Sequence, residues 1–273
     1  MTMIELHYVE RGHGQALVLL PGWAQTTRLF AKQIDGLADR CRVIALDLRG
    51  HGESPKPKHG YRVARLAADV HAFLAQHALE DVTLAGHSMG ASVIWSYLEQ
   101  FGAARLARLV FIDQAPLVTN GWGLSGTALL EAGCAFTPET LYATAQAVAS
   151  DQAGTLAGLR SAFFSDGVDD ADFALAVSES MKLPAAAAAR LLVDHASQDW
   201  RDVIRHVVPS LGLPTLVFGG ALATIFPPQA AAWIAAQIPG ARLSVFGADE
   251  GGSHFMFWEN PDRFNSELAT FMA

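Results

Sequence analysis

The stretch Val82-Thr83-Leu84-Ala85-Gly86-His87-Ser88-Met89-Gly90 leads into a helically spaced apolar run over residues 91–101, and its reading decides the fold. An apolar strand pattern passes straight into G-x-S-x-G and then into a helix pattern. A serine on so sharp a turn has its Oγ pushed out above the sheet. The flanking glycines relieve the crowding that the turn imposes. The residue after the serine opens a helix, so its N–H has no intrahelical partner and can face a developing negative charge. Ser88 is therefore the candidate nucleophile.

Working outward, residues 16–20 and 43–46 are continuous apolar runs, as expected of strands buried on both faces. A first strand is expected over residues 4–9 and another over 109–112, ending at Asp113. Helical spacing fills residues 27–37 and 62–77. Strand and helix alternate, which predicts an α/β fold: a mostly parallel central sheet with helices on both faces. The alternation fails over residues 115–205, a stretch rich in Ala and Leu with helical spacing and no strand pattern. We read it as an α-helical cap inserted into a core made of residues 1–114 and 206–273. The core resumes with a strand over 214–220, a helix over 228–238, a strand over 242–246 and a last helix over 261–271.

The chain has 273 residues, 51% of them hydrophobic, and a formal net charge of -8. This length buries a sizeable core without staples. The acidic balance and the lack of a basic cluster argue against nucleic acid and against an anionic membrane surface. The two cysteines, Cys41 and Cys134, do not form a disulfide framework. No leader pattern opens the chain, and no apolar run is long enough for a bilayer. A soluble cytoplasmic protein acting on a small molecule is expected, and the sequence admits a homodimer. No His-x-x-x-His with a helical acid and no phosphate-loop context occurs, so neither a metal nor a cofactor is expected.

A serine hydroxyl needs a base within hydrogen-bond reach and a third group to orient that base. Of the ten histidines, His254 lies in Gly251-Gly252-Ser253-His254-Phe255, after the last strand and before the last helix. Loops at the carboxyl ends of parallel strands gather around one crevice, which places His254 with Ser88. His87 should point away from the site. His51 should hold its own Gly-rich loop by hydrogen bonds. The remaining histidines, His195 among them, read as surface or cap residues.

Four segments in order, Leu20-Pro21-Gly22-Trp23, Asp47-Leu48-Arg49-Gly50-His51-Gly52-Glu53-Ser54, Gly86 to Gly90, and Ser253-His254-Phe255, resemble the α/β-hydrolase superfamily, with some similarity to its cofactor-free ring-cleaving dioxygenase branch. The resemblance covers nearly everything except the cap. It implies an acid soon after the strand at 214–218, where this chain has Gly220-Ala221-Leu222-Ala223. Alanine stands where the aspartate is usual. Some members carry the acid at the end of the strand that follows the nucleophile's helix, which here is Asp113. Asp249 and Glu250 lie too close to His254 in sequence to reach its ring without a doubled-back loop. The resemblance also implies an oxyanion hole from the N–H groups of Trp23 and Met89.

The expected activity is that of a serine esterase: cleavage of a carboxylic ester or lactone of a hydrophobic or aromatic small molecule, through an acyl-enzyme. The alternatives are cofactor-independent oxygenation of a heteroaromatic substrate and a non-catalytic ligand sensor on the same fold. Trp122, Phe136, Phe163, Phe164 and Met181 are candidates to face substrate. Phe255, Phe257 and Trp258 are expected to make the neighbourhood of His254 aromatic.

Overall fold

The computed structural model describes residues 4–273. Seven strands form one sheet: β1 (Tyr8–Arg11), β2 (Ala16–Leu20), β3 (Arg42–Leu46), β4 (Val82–His87), β5 (Leu106–Ile112), β6 (Thr215–Gly220) and β7 (Arg242–Phe246). Their order is β1-β3-β2-β4-β5-β6-β7. Only the β1–β3 pair is antiparallel. The expected first strand begins and ends later than residues 4–9, because pairing with β3 sets its limits: Tyr8 faces Leu46 and Arg11 faces Val43.

Residues alternate strictly between the two faces of the sheet. Val18, Leu20, Ile44, Leu84, Leu109 and Phe111 join one apolar cluster. Leu17, Leu19, Val43, Ala85, Val110 and Ile112 join another. A period of two with both faces apolar is what turns a central parallel strand into a continuous apolar run. The first cluster is closed by the helices Val63–Gln76 and Met89–Phe101, the second by Ala31–Leu37 and Pro261–Met272.

The expected helix over 27–37 is split. A 3-10 turn, Thr27–Phe30, capped by the Thr26 side chain, precedes the α-helix Ala31–Leu37. Between β5 and β6 no strand forms among the described residues. The chain there runs mainly through the helices Gly126–Ala132, Pro138–Ser150, Gln152–Ala157, Arg160–Phe163, Asp170–Ser180 and Ala185–Ala196. Pro184 stands as N-cap of the last of these, where a proline costs no intrahelical hydrogen bond. This helical segment is tied to the core by polar bonds. Thr26 Oγ1 donates to Glu179 at 2.7 Å, and the Trp258 indole N–H donates to Asp172 at 2.7 Å. No helix of the described residues is long and apolar enough to cross a membrane.

Candidate active site

The sheet register builds the site. His87 at the end of β4 pairs with Ile112 at the end of β5, and Ile112 pairs with Phe218 on β6. The ladder then takes one more step: Ser88 N–H donates to Ile112 O at 2.8 Å, and Asp113 N–H donates to Phe218 O at 2.9 Å. Ser88 and Asp113 therefore leave the sheet side by side. Both adopt left-handed backbone, with φ of 51° and 44°. Such conformations cost non-glycine residues about 1–2 kcal/mol and aim side chains that a regular strand would not.

Close packing explains the glycines of the turn. A Cβ at Gly86 would lie 2.3 Å from the Gly90 carbonyl carbon, and one at Gly90 would lie 2.4 Å from Leu20 O. The loop after β2 comes equally near, since a Cβ at Gly22 would lie 3.1 Å from the Cβ of Ser88. Trp23 follows Gly22, and its backbone N–H has no acceptor among the described residues. Met89 opens the helix Met89–Phe101, so its N–H is one of the orphaned donors of a helix start. The Trp23 ring is fixed from the helical segment, its indole N–H donating to Ala188 O at 2.9 Å.

His254 arrives from the loop after β7. That loop passes over the end of β6 so closely that a Cβ at Gly220 would lie 2.3 Å from Gly252 O. His254 Nδ1–H donates to Asp113 Oδ2 at 2.5 Å, while Asp113 Oδ1 accepts from Gly220 N–H at 3.3 Å. Asp113 and His254 are 2% and 1% exposed. Desolvation pushes the Asp113 carboxyl well above the carboxylate range and the His254 imidazole down to about 3. Each direction is the cost of a lone buried charge. Facing each other at 2.5 Å, the two groups titrate as a pair. With Nδ1 turned to Asp113, Nε2 lies on the far side of the His254 ring from the carboxyl.

Ser88 and His254 line one pocket, with about 570 Å³ of empty space when its opening to solvent is counted. Its walls are mostly apolar, including Phe136, Phe163, Leu192, Ile225 and Phe226. The Phe163 ring stacks on His254 with centroids 5.5 Å apart, and Phe226 meets it edge-on at 5.6 Å.

The sequence places Ser88, Asp113 and His254 together, and the structure gathers them. The other expectations divide. His51 does hold its loop: its ring meets Arg49 O at 3.0 Å and accepts from Ala24 N–H at 3.2 Å. His87 is turned under the site and braces it. Its ring nitrogens meet Gln25 Oε1 at 3.0 Å and the His254 carbonyl at 2.9 Å. Both partners are acceptors. Burial and the neighbouring His254 hold this ring well below the ordinary imidazole range, so it donates to one of them at a time.

Of the candidate substrate-facing residues, Phe136 and Phe163 line the cavity. Phe164 lines an adjoining pocket with Trp23, Gln25 and Phe255. Trp122 is 70% exposed and Met181 is also at the surface, so neither faces the site. Phe257 is packed into the core against Phe30, and Trp258 turns its indole to Asp172. The helix Met256–Glu259 rotates these two side chains away from His254. His195, expected at the surface or in the cap, is buried and lines the cavity. The signal was its spacing. It stands three residues after Leu192 and four after Leu191, on the apolar face of Ala185–Ala196. Ala223 is buried, and the neighbouring Ile225 and Phe226 make that side of the cavity apolar.

With the geometry in hand, comparison with known proteins gives a consistent result. The family model described as the alpha/beta hydrolase fold matches residues 15–261. The chain belongs to the α/β-hydrolase family. It is 27% identical to a putative non-heme chloroperoxidase of Synechocystis, over 98% of this chain and 95% of that protein. The solved esterase of Exiguobacterium antarcticum superposes with a TM-score of 0.87 at 25% identity, covering 98% of this chain and 95% of that one. The bromoperoxidase of Bacillus anthracis gives a TM-score of 0.87 at 25% identity, with the same coverage of 98% and 95%. This α/β-hydrolase is accordingly an enzyme, a hydrolase of its family.

Proposed function

We propose that this hydrolase cleaves a carboxylic ester or lactone of a hydrophobic or aromatic small molecule through an acyl-enzyme. Ser88 Oγ attacks the carbonyl carbon while His254 Nε2 takes the hydroxyl proton. The carbonyl π bond opens to a tetrahedral oxyanion held by Trp23 N–H and Met89 N–H. Each such donor stabilises the transition state by about 3 kcal/mol. The oxyanion collapses, the C–O bond to the alcohol breaks, and the leaving oxygen takes the proton from Nε2. Water, deprotonated by the same nitrogen, then hydrolyses the acyl-serine. Asp113 acts through His254, fixing its tautomer and stabilising the imidazolium. Residues 115–205 act as the cap, supplying Phe136 and Phe163 to the substrate cavity.

The observation that carries this reading is the 2.5 Å bond from Asp113 to His254, the histidine that lines one cavity with Ser88. Turnover of a p-nitrophenyl ester series and labelling by a fluorophosphonate probe test it. Wild type should turn over the esters and label. Ser88→Ala should not label and should lose at least about 10³-fold in kcat. Full esterase activity in Ser88→Ala would overturn the reading.

The position of Asp113 after β5, rather than after β6, also suits cofactor-independent oxygenation of a heteroaromatic substrate. There His254 would deprotonate a substrate hydroxyl and Ser88 would be secondary. Oxygen uptake with a hydroxyquinolone-type substrate, retained in Ser88→Ala, would favour that route over hydrolysis.

A further inference from the structure

The helix Arg160–Phe163 places the Phe163 ring on His254, yet none of its residues is buried and no side chain caps its start. So short a helix has little stability of its own, so the direction of Phe163 must be set from outside it. We propose that Glu259 is the positioning residue that sets it: the Glu259 carboxylate ties residues 163–165 to the His254 loop, so that the base and the aromatic wall beside it are held as one piece. The inference rests on the ester reading above and adds to that reaction a residue acting through His254 and Phe163.

The carboxylate is bonded from both sides. Ser253 Oγ–H, next to His254, donates to Glu259 Oε1 at 2.5 Å. From the helical segment, Ser165 N–H donates to the same oxygen at 3.0 Å, and Ser165 Oγ–H donates to Oε2. A carboxylate accepts at both oxygens, so it can meet all three donors at once. Ser253 Oγ in turn accepts from Phe255 N–H at 3.0 Å, which carries the restraint past His254 along the chain. The backbone aims the carboxylate. Glu259 N–H donates to Phe255 O at 3.0 Å, closing a turn that brings position 259 back beside position 255. The stem is confined too, since a Cβ at Gly251 would lie 2.9 Å from the Glu259 Cβ. Two ring contacts run alongside these bonds. Phe163 meets His254 at an interplanar angle of 28°, and Phe164 stacks on Phe255 with centroids 4.5 Å apart. Residues 163, 164 and 165 thus face 254, 255 and 259 in order. Loosening this seam frees the imidazole to swing, and a misplacement of about 1 Å costs on the order of 100-fold in rate.

The test is a double-mutant cycle with a second readout that needs no turnover. Wild type, Glu259→Ala, Glu259→Gln, Phe163→Ala and the Glu259→Ala/Phe163→Ala variant are assayed on p-nitrophenyl butyrate, with folding checked by circular dichroism. Glu259→Ala should lower kcat by about 30-fold and change KM less. Glu259→Gln should recover most of kcat. Its amide oxygen can accept from Ser253 and from Ser165 N–H, while its amide N–H donates to Ser165 Oγ. In the Phe163→Ala background, Glu259→Ala should cost only about threefold, the part carried by Ser253. Should Glu259→Ala not fold, Ser165→Ala takes its place in the cycle. It removes one donor, and should lower kcat about threefold in wild type and leave it unmoved in Phe163→Ala. In ¹H–¹³C NMR of histidine-labelled protein, the His254 ring resonance, assigned by its loss in His254→Asn, should shift when Phe163→Ala removes the ring current. It should shift the same way in Glu259→Ala, or in Ser165→Ala where that stands in, and stay in place in Glu259→Gln.

A kcat within twofold of wild type in folded Glu259→Ala, equal factors with and without Phe163 in the cycle, or a Glu259→Gln as impaired as Glu259→Ala would overturn the proposal. Ester turnover with the His254 resonance unmoved by loss of the clamp would sink it and leave the ester reading intact. The resonance pattern without turnover of any ester would keep the placement of His254 by Glu259 and end the ester reading.

Discussion

The loops at the ends of β5 and β6 lie side by side, yet they contribute opposite things to the site. The β5 end gives a carboxylate, Asp113, bonded to His254 at 2.5 Å. The β6 end, where the resemblance implies an acid, gives a buried Ala223, the apolar Ile225 and Phe226, and the bare backbone of Gly220. Gly220 still serves the acid, donating its N–H to Asp113 Oδ1 and leaving room for the Gly252 and Ser253 carbonyls. On the proposed mechanism, the difference teaches that the imidazole needs a carboxylate at one point in space, whichever strand delivers it. Two adjacent parallel strands end close enough for either to do so.

The largest effect expected from this contrast is on the β5 side. Asp113→Asn should lower kcat by about 10⁴-fold with little change in KM, because the amide cannot hold the required tautomer or stabilise the imidazolium. Steady-state kinetics on a p-nitrophenyl ester measures it. A loss below tenfold would break the contrast and return the role to another acid. Next comes the β6 backbone. Gly220→Ala puts a methyl group against two carbonyl oxygens, at 2.3 Å from Gly252 O and 2.6 Å from Ser253 O. Neither is the end of a flexible side chain, so the His254 loop must move. Chemical denaturation should show a loss of about 3 kcal/mol, with kcat falling as well. Unchanged stability would mean that the loop does not need the glycine. The smallest effect is expected at the bare position. Ala223→Asp buries a carboxyl beside apolar side chains and should cost about 1–3 kcal/mol of stability. It should leave kcat/KM on the same ester within a few-fold of wild type. A large gain in rate would show that β6 still has a vacant catalytic role.

Much of this was legible in residue order. The continuous apolar runs at 16–20, 43–46 and 82–85 mark central strands because both faces of this sheet are covered, and the structure alternates them between two clusters. Ser88 and His254 could be named because a strand-to-helix turn and a strand-end loop have fixed places in such a fold. The helical segment between β5 and β6 was another matter. Trp122 and Phe163 are both aromatic and both lie there, yet one is exposed and the other stacks on His254. The short helices of this stretch have no sheet register to fix which way they face. Each side chain's direction depends on how its helix docks on the core.

By itself, then, the sequence determined the alternation of strand and helix, the turn that exposes Ser88 and the shortage of an acid after β6, all of which are set within a few residues of chain. Only the tertiary structure decided that Asp113 meets His254, that His87 braces the loop from below and that His195 enters the cavity. The first two join positions 141 and 167 residues apart in sequence. Their geometry comes from strand register and helix docking, which local chemistry constrains but does not specify.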